Sequence, residues 1–337
     1  MKNITKMRNK TTLIFILAVI TSMHFIAANA QDDDKFIPYG RPLVLVFTNI
    51  NSTFNKDGNS KGIELTRAYL GYEYFFSKNI SARVNMDVGD PGVGKLQMTA
   101  FVKNAFVMYK NNNFSARFGM IGVDQFSVQE KQWGYRYIYK SFQDEYSYSA
   151  SADLGAAFEY SPAKFISLDF SVLNGEGYKK VQADSTLKMT FGATFKPVKG
   201  LVLRTYVDMM KNDYNQKSLA LYAGYSVNKL KTGLEYNIQK NNGMLNEHDF
   251  SGISAYVSLA LAEKITVFGR YDKLQSVTMT GRTNPWNYGK DGQLFMAGFD
   301  YSPTPGVKIA PTLSGWSPDD DTKSFTTKIA LNFELKF

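Results

Sequence analysis

The C-terminal end of the chain alternates between apolar and polar side chains. Counting back from the terminus, Phe337, Leu335, Phe333, Leu331 and Ile329 fall on one face, and mostly polar residues stand between them. Alternation of period two indicates a β-strand, and about ten residues is the length that a tilted strand needs to cross a bilayer. The stretch therefore predicts a last strand that either spans a membrane or belongs to a soluble β-domain.

The same alternation recurs along the chain, with almost no helical period. It is clearest at 80–88, 187–196 and 230–239, whereas 43–54 and 98–110 carry apolar residues on both faces. The predicted fold class is therefore all-β. Sixteen strands are predicted, at 43–54, 63–76, 80–88, 98–110, 114–121, 152–160, 165–173, 185–196, 201–210, 218–227, 230–239, 251–262, 265–273, 293–302, 306–313 and 324–337.

The connections between the predicted strands sort by length. Every second one is short, as at 77–79 and 228–229, and the connections between them are longer, as at 55–62, 274–292 and above all 122–151. An even number of strands with short turns at one end and long loops at the other is typical of a membrane β-barrel. A soluble sandwich uses Greek-key connections instead. The sequence predicts a transmembrane antiparallel up-and-down β-barrel over 43–337.

The N-terminal stretch has the pattern of an export signal. Four basic residues within 2–10 precede an apolar core, and Ala28-Asn29-Ala30 is a small-residue cleavage site. We therefore predict a signal peptide over 1–30 and a short polar lead over 31–42, the alternative being an uncleaved anchor helix. The exported chain has no cysteine, so it must be stabilised without disulfides.

Charge and composition exclude several function classes. The net charge of +9 includes the four basic residues of the leader, and so mild a balance predicts no nucleic-acid partner. After residue 30 the one histidine is His248, so neither a metal site nor a cofactor is predicted. Asp319-Asp-Asp321 could hold Ca²⁺ loosely, although a solvated loop tip is the simpler interpretation.

The polar face of the strands must line the bore if the apolar face meets lipid. A charge facing lipid at the midplane costs about 2–4 kcal/mol, and sixteen strands enclose an aqueous channel. A tight turn at 77–79 would place Arg83 opposite Glu73 and Arg67 diagonal to Asp87. The predicted basic residues of the pore wall are Arg67, Arg83, Arg117, Lys188, Lys196 and Arg204.

One group of these cations has few acidic neighbours in the sequence pattern. Lys188, Lys196 and Arg204 stand mostly beside threonines, and Asp208 is the one acid close to them. Unpaired cations on one wall attract anions. This wall is therefore predicted to form a basic track.

The connection 122–151 is the longest, and long loops are usually functional. Ser127-x-x-Glu130 matches a capping box and predicts a short helix that ends before Trp133-Gly134. Its many aromatic residues favour an inward fold that narrows the bore; the alternative is an outward hood on lipopolysaccharide or a neighbouring subunit. The predicted constriction sets Lys131, Arg136 and Lys140 opposite Asp124, Asp144 and Glu145.

Several stretches resemble the phosphate-selective porin family. They are Glu64–Tyr72, Gly119–Phe126, Ser151–Gly155 and Val172–Gly177. The resemblance covers about residues 60 to 180 and implies a sixteen-stranded, trimeric diffusion pore with an inward-folded third outer loop. It also implies a ladder of arginines leading to a phosphate site. Here the candidate rungs, Arg67, Arg83, Arg117 and Arg204, stand partly beside acids, so the resemblance says more about the fold than about the solute.

The terminal Phe337 on an amphipathic last strand is similar to the sorting signal read by the barrel-assembly machinery of Gram-negative outer membranes. The predicted location is therefore that membrane, with its lipid, its lipopolysaccharide and further copies of the chain as partners. The predicted function is passive diffusion of small hydrophilic solutes, with anions such as phosphate as the favoured candidates. The alternatives are a barrel hydrolase using His248 with a partner such as Ser251, and a closed structural or adhesive barrel.

Overall fold

The chain forms a closed barrel of sixteen antiparallel strands in a computed structural model that describes residues 36–89 and 98–337. Every strand pairs with its neighbours in sequence, and β1 closes the barrel against β16. The all-β, up-and-down prediction with sixteen strands is confirmed. The strands are β1 (Tyr39–Asn55), β2 (Gly58–Phe75), β3 (Ile80–Gly89), β4 (Thr99–Lys110), β5 (Phe114–Gly122), β6 (Ala152–Ala163), β7 (Ile166–Leu173), β8 (Lys188–Phe195), β9 (Leu201–Lys211), β10 (Asn215–Val227), β11 (Leu230–Lys240), β12 (Phe250–Ala262), β13 (Ile265–Ser276), β14 (Gly292–Thr304), β15 (Val307–Pro318) and β16 (Thr326–Lys336).

The first hairpin differs from its predicted bounds. β1 begins at Tyr39, within the stretch predicted as a polar lead, because the Tyr39 ring stacks on Phe75 at 4.7 Å and the two residues pair across β1 and β2. The predicted long connection 55–62 is also wrong. β1 and β2 stay paired as far as Asn55 and Gly58, so only residues 56–57 connect them. The predicted signal peptide lies outside the described residues.

Apart from the two-residue connection between β1 and β2, the two ends of the barrel differ as the sequence predicts. At one end the connections are short, and one of them requires glycine. Gly200 adopts φ +88°, and a Cβ there would collide with the Ser226 carbonyl oxygen, so the turn depends on a residue without a side chain. The opposite end carries the longer connections, including the one from β5 to β6.

The two faces of the wall have opposite character. On β9, for example, Leu203 and Val207 are exposed on the outside, whereas Arg204, Tyr206 and Asp208 are buried on the inside. This arrangement is the reverse of a water-soluble barrel. Of the helices within 36–89 and 98–337, none is both long and apolar enough to cross a bilayer.

The packed core lies inside the barrel, between the inner wall and residues 123–151. The largest buried cluster joins Trp133, Tyr135 and Tyr137 to Tyr256 and Phe268 of the wall. Residues 123–151, which connect β5 to β6 and are called the plug segment below, thus supply much of the interior. Two short helices lie in it, α1 (Ser127–Trp133) and α2 (Phe142–Glu145).

Candidate functional site: the bore and the plug segment

The first half of the plug segment forms helix α1, as the sequence predicts, but without a capping box. Phe126 is the N-cap, and no side chain caps the helix. Ser127 is already the first helical residue, and its hydroxyl donates back to the Asp124 carbonyl oxygen at 3.3 Å. Gly134 ends the helix in the left-handed conformation, and its N–H donates to Glu130 O at 2.9 Å.

Aromatic packing holds the plug segment to one side of the inner wall. Trp133 is 1% exposed and makes edge contacts with Tyr256 and Phe268, with ring centroids 5.1 and 5.9 Å apart. Tyr135 stacks on the same Phe268 at 4.7 Å. Tyr256 lies on β12 and Phe268 on β13, so these two strands support the turn after α1.

Hydrogen bonds attach the plug segment at several points. Arg270 on β13 donates from Nη1 to the Lys140 carbonyl oxygen at 2.7 Å. Four strands further round the wall, Arg204 on β9 donates from Nη2 to the Asp124 carbonyl oxygen at 2.8 Å. Backbone carbonyls of the segment are thus bound by guanidinium groups of the wall, and charged donors make strong bonds.

Most of the predicted constriction residues form pairs within the plug segment or with the wall. Arg136 binds Asp144 and Glu130, and Lys140 Nζ lies 3.7 Å from Glu145. Asp124 pairs with Arg117 of the wall at 2.5 Å. The charges of these ion pairs therefore largely cancel within the plug segment and at its contact with the wall. Lys131 is different, since it forms no ion pair within the described parts of the chain.

Arginines of the inner wall are held by cross-strand carboxylates. Arg83 lies opposite Glu73, with a contact of 2.7 Å, and Arg67 binds Asp87 at 2.6 Å. Both pairings agree with the register predicted from the short turn at 77–79. These side chains therefore brace β2 against β3.

The prediction that Lys188 and Arg204 lack acidic partners is wrong. Lys188 Nζ lies 3.0 Å from Asp208, and Arg204 Nη1 lies 2.7 Å from Asp169 on β7. Asp169 reaches Arg204 across β8 because Gly192 stands between them, and a Cβ at Gly192 would collide with both side chains. The missing side chain opens a path for an ion pair between strands that are not adjacent. Lys196 lies beyond β8, exposed at the short-turn end.

Two chambers of the bore are lined in part by the plug segment. The chamber towards the long connections has a volume of about 430 Å³ and is lined by Arg67, Arg136, Lys140 and Glu145, among others. The chamber towards the short turns has a volume of about 720 Å³. Residues of the plug segment line both chambers, with α1 facing the larger one and residues 136–140 facing the smaller one.

The larger chamber carries more basic than acidic side chains. Three of its cations, Arg83, Arg117 and Arg204, bind carboxylates. Lys110, Lys131 and Lys196 form no ion pair in the described ranges. Among the acids of the chamber, Glu159 alone forms no ion pair in those ranges, and it accepts a hydrogen bond from Ser167. An excess of positive charge therefore faces the water of this chamber. Its charged lining is Arg83, Lys110, Arg117, Lys131, Lys196, Arg204, Glu73, Asp124, Glu159 and Asp169.

Sequence reasoning missed Lys110 and the contact between Arg270 and the plug segment. Lys110 faces inward because β4 contains an extra residue at Lys103, where the register to β3 shifts between Asn85 and Met86. This bulge reverses the alternation that would have assigned the face. The alternation of β13 places Arg270 on the polar face, but its bond to the Lys140 carbonyl oxygen joins positions 130 residues apart, and no local pattern indicates such a contact.

Acid is expected to loosen the plug segment through Asp144. Burial alone would raise the pKa of this carboxyl, but Arg136 and Lys140 outweigh it and hold the pKa below its ordinary value. A depressed folded-state pKa stabilises the fold above the unfolded pKa of about 3.9, and this stabilisation is lost as pH falls through the lower folded value. Limited proteolysis between pH 7 and pH 3 measures the effect, with faster cleavage within 123–151 expected at low pH.

The variant Asp144→Asn separates this group from the other carboxyls. It should be cleaved faster than the wild type already at pH 7 and should change less on acidification. Asp213→Asn, at an exposed tip, is the matched control and should follow the wild type. An Asp144→Asn variant with the wild-type pH profile would contradict the assignment.

No protein-family model matches this sequence, and no curated protein matches it. The outer membrane channel DcaP of Acinetobacter baumannii superposes with a TM-score of 0.68 at 12% identity, over 89% of this chain and 97% of that one. OmpF of Salmonella typhi, in complex with daunomycin, gives 0.68 at 11% identity, over 88% and 97%. The trimer form of OmpT, an outer membrane protein of Vibrio cholerae, gives 0.58 at 12% identity, over 88% and 99%. The chain therefore shares the barrel fold of these outer membrane proteins.

Proposed function

We propose that this protein is a channel of the Gram-negative outer membrane through which small hydrophilic solutes diffuse passively. The observation that carries the proposal is the reversed wall, apolar on the outside and charged on the inside, in a closed barrel. A closed barrel leaves no unpaired strand edge, and strands with an apolar outer face suit a bilayer. The likeness to DcaP, described as an outer membrane channel, supports the same conclusion.

The proposed selectivity is a weak general preference for anions. Lys110, Lys131 and Lys196 supply the unpaired positive charge of the larger chamber, and wall charge and bore width set selectivity in such channels. A dedicated phosphate site is less well supported. The candidate rungs each hold a carboxylate already: Arg67 binds Asp87, Arg83 binds Glu73, Arg117 binds Asp124 and Arg204 binds Asp169.

We further propose a homotrimer, assembled in the membrane after the barrel-assembly machinery has recognised the strand that ends at Phe337. The trimer form of the OmpT structure supports this oligomeric state. Light scattering of the detergent-solubilised protein is expected to give three copies per particle. A single copy under the conditions that preserve conductance would contradict the trimer.

A closed structural barrel is the second candidate, and the plug segment favours it. Trp133 and Phe142 are 1% and 0% exposed inside the bore, so large side chains of this segment fill part of the space that a solute would need. A closed barrel predicts no current across a planar bilayer.

The hydrolase alternative has less support. The His248 ring stacks on Trp286 with centroids 4.6 Å apart, and within residues 36–89 and 98–337 no hydroxyl or carboxylate hydrogen-bonds to that ring. A histidine that acts as a base needs such partners.

Single-channel recording in a tenfold KCl gradient tests the proposed function. We expect steady conductance and a reversal potential of the anion-selective sign, well below the roughly 59 mV of an ideally selective pore. Lys131→Glu combined with Lys196→Glu should move the reversal potential towards cation selectivity. Lys290→Glu, on an exposed outer connection, is the matched control. Absence of current supports the closed barrel, and a cation-selective wild type would refute the anion preference.

A further inference from the structure

Three lysines stand together on the outside of the barrel at the end with the long connections. Lys211 ends β9, Lys217 lies near the start of β10, and Lys240 ends β11. All three are exposed and alternate with buried neighbours such as Gln216 and Gln239, so their side chains project away from the bore. We refer to them as the lysine triad.

The triad is electrostatically unbalanced. Lys217 is directly opposite Lys240 in the β10–β11 register, and Lys211 lies diagonal to Lys217 on the other side. Like charges directly opposite each other in a sheet are destabilising. In the described part of the chain none of the three forms an ion pair, although Asp213 lines the same cavity. An anion between the ammonium groups would remove this repulsion.

The surroundings of the triad indicate what kind of anion fits. The lysines line a surface cavity of about 400 Å³ together with Tyr214 and Asn215. The neighbouring residues on the outer face of the same strands are apolar. Val207 and Met209 are exposed on β9, and Leu219 of β10 lies opposite Ile238 of β11. The charged cavity therefore borders directly on the apolar belt, so one ligand can contact both.

We propose that the lysine triad binds the phosphate head group of an anionic lipid of the outer leaflet, whose acyl chains lie along the apolar belt of β9–β11. Lysine binds phosphate as a point charge through its ammonium group, and basic clusters at a membrane surface attract anionic lipids. The proposal rests on the membrane location given above but not on conductance, so the channel and the lipid site can fail separately.

A lipid-binding titration on the intact barrel in neutral detergent tests the site. The probe is diphosphorylated hexaacyl lipid A, compared with a lipid that has the same acyl chains and no phosphate. Lys211→Gln, Lys217→Gln and Lys240→Gln combined should weaken binding of the phosphorylated lipid at least about tenfold, the loss of more than one charge-assisted contact. Lys164→Gln, Lys199→Gln and Lys229→Gln combined remove the same charge at the short-turn end and should bind like the wild type.

Three results would overturn the proposal: equal binding by the triad variant, equal binding of the lipid without phosphate, or displacement of the lipid by an equal concentration of inorganic phosphate. The last result would assign the cavity to a free anion. The single variant Lys217→Gln distinguishes a loss of lipid binding from a loss of folding. Its thermal midpoint in lipid-free detergent should not fall below that of the wild type, because repulsion from Lys240 is relieved. The rise in midpoint that lipid A produces in the wild type should be reduced in this variant.

Discussion

Excision of the plug segment is expected to raise the single-channel conductance several-fold. The segment fills the bore with large buried side chains, among them Trp133 and Phe142, whereas a sixteen-stranded wall alone encloses an aqueous channel. Gly122 and Ala152 are cross-strand partners at the ends of β5 and β6. A variant that lacks residues 125–149 and joins the remaining ends through a short Gly-Ser turn therefore preserves the strand register.

The matched control removes chain from the same end of the barrel without opening the bore. Deletion of 279–284, a largely exposed part of the β13–β14 connection, should leave the conductance near the wild-type value. Heat-modifiable migration on gels and a β-type circular dichroism spectrum show that each barrel is folded. Unchanged conductance in a folded plug-deletion variant would show that the plug segment does not limit the current.

The barrel could be predicted from the sequence because the pattern that specifies it, the alternation of apolar and polar side chains, is visible within each strand. Alternation of period two assigns each residue to lipid or lumen, and register then follows from short turns, as it did for Arg83 and Glu73. The prediction failed where one extra residue interrupts the period. Thr66 in β2 and Lys103 in β4 are such residues, and β4 is one of the two strands, with β1, whose face the sequence left undefined.

The charges of the site were harder to predict because their partners are not strand neighbours. Asp169 pairs with Arg204 across β8 through the gap that Gly192 leaves. A prediction that considered only neighbouring strands therefore left Arg204 unpaired, although it forms an ion pair with Asp169. The plug segment poses the same difficulty, since its anchors on β9 and β13 lie far away in sequence.

Arg270→Met is expected to be the most damaging single substitution in the wall. The Arg270 side chain is 1% exposed, donates two hydrogen bonds of 2.8 Å to Asp272, and lies 4.9 Å from the centroid of the Trp133 ring. Its loss leaves Asp272, which is 0% exposed, as a buried unpaired carboxyl. Breaking a buried pair from one side costs about 3–5 kcal/mol. Urea unfolding of the barrel in lipid vesicles measures the free energy of unfolding.

The same substitution also tests how the plug segment is held. Arg270 is the wall donor to the Lys140 carbonyl oxygen, so Arg270→Met should add current fluctuations as well as reduce stability. Arg270→Met with Asp272→Leu removes both charges and should recover much of the free energy, because a buried pair replaced by apolar side chains is often close to neutral. The current noise should persist in that double variant, since neither residue restores the bond to Lys140. Arg282→Met, at an exposed position, should change neither property. Quiet current in both Arg270 variants would mean that the aromatic contacts of Trp133 alone hold the segment in place.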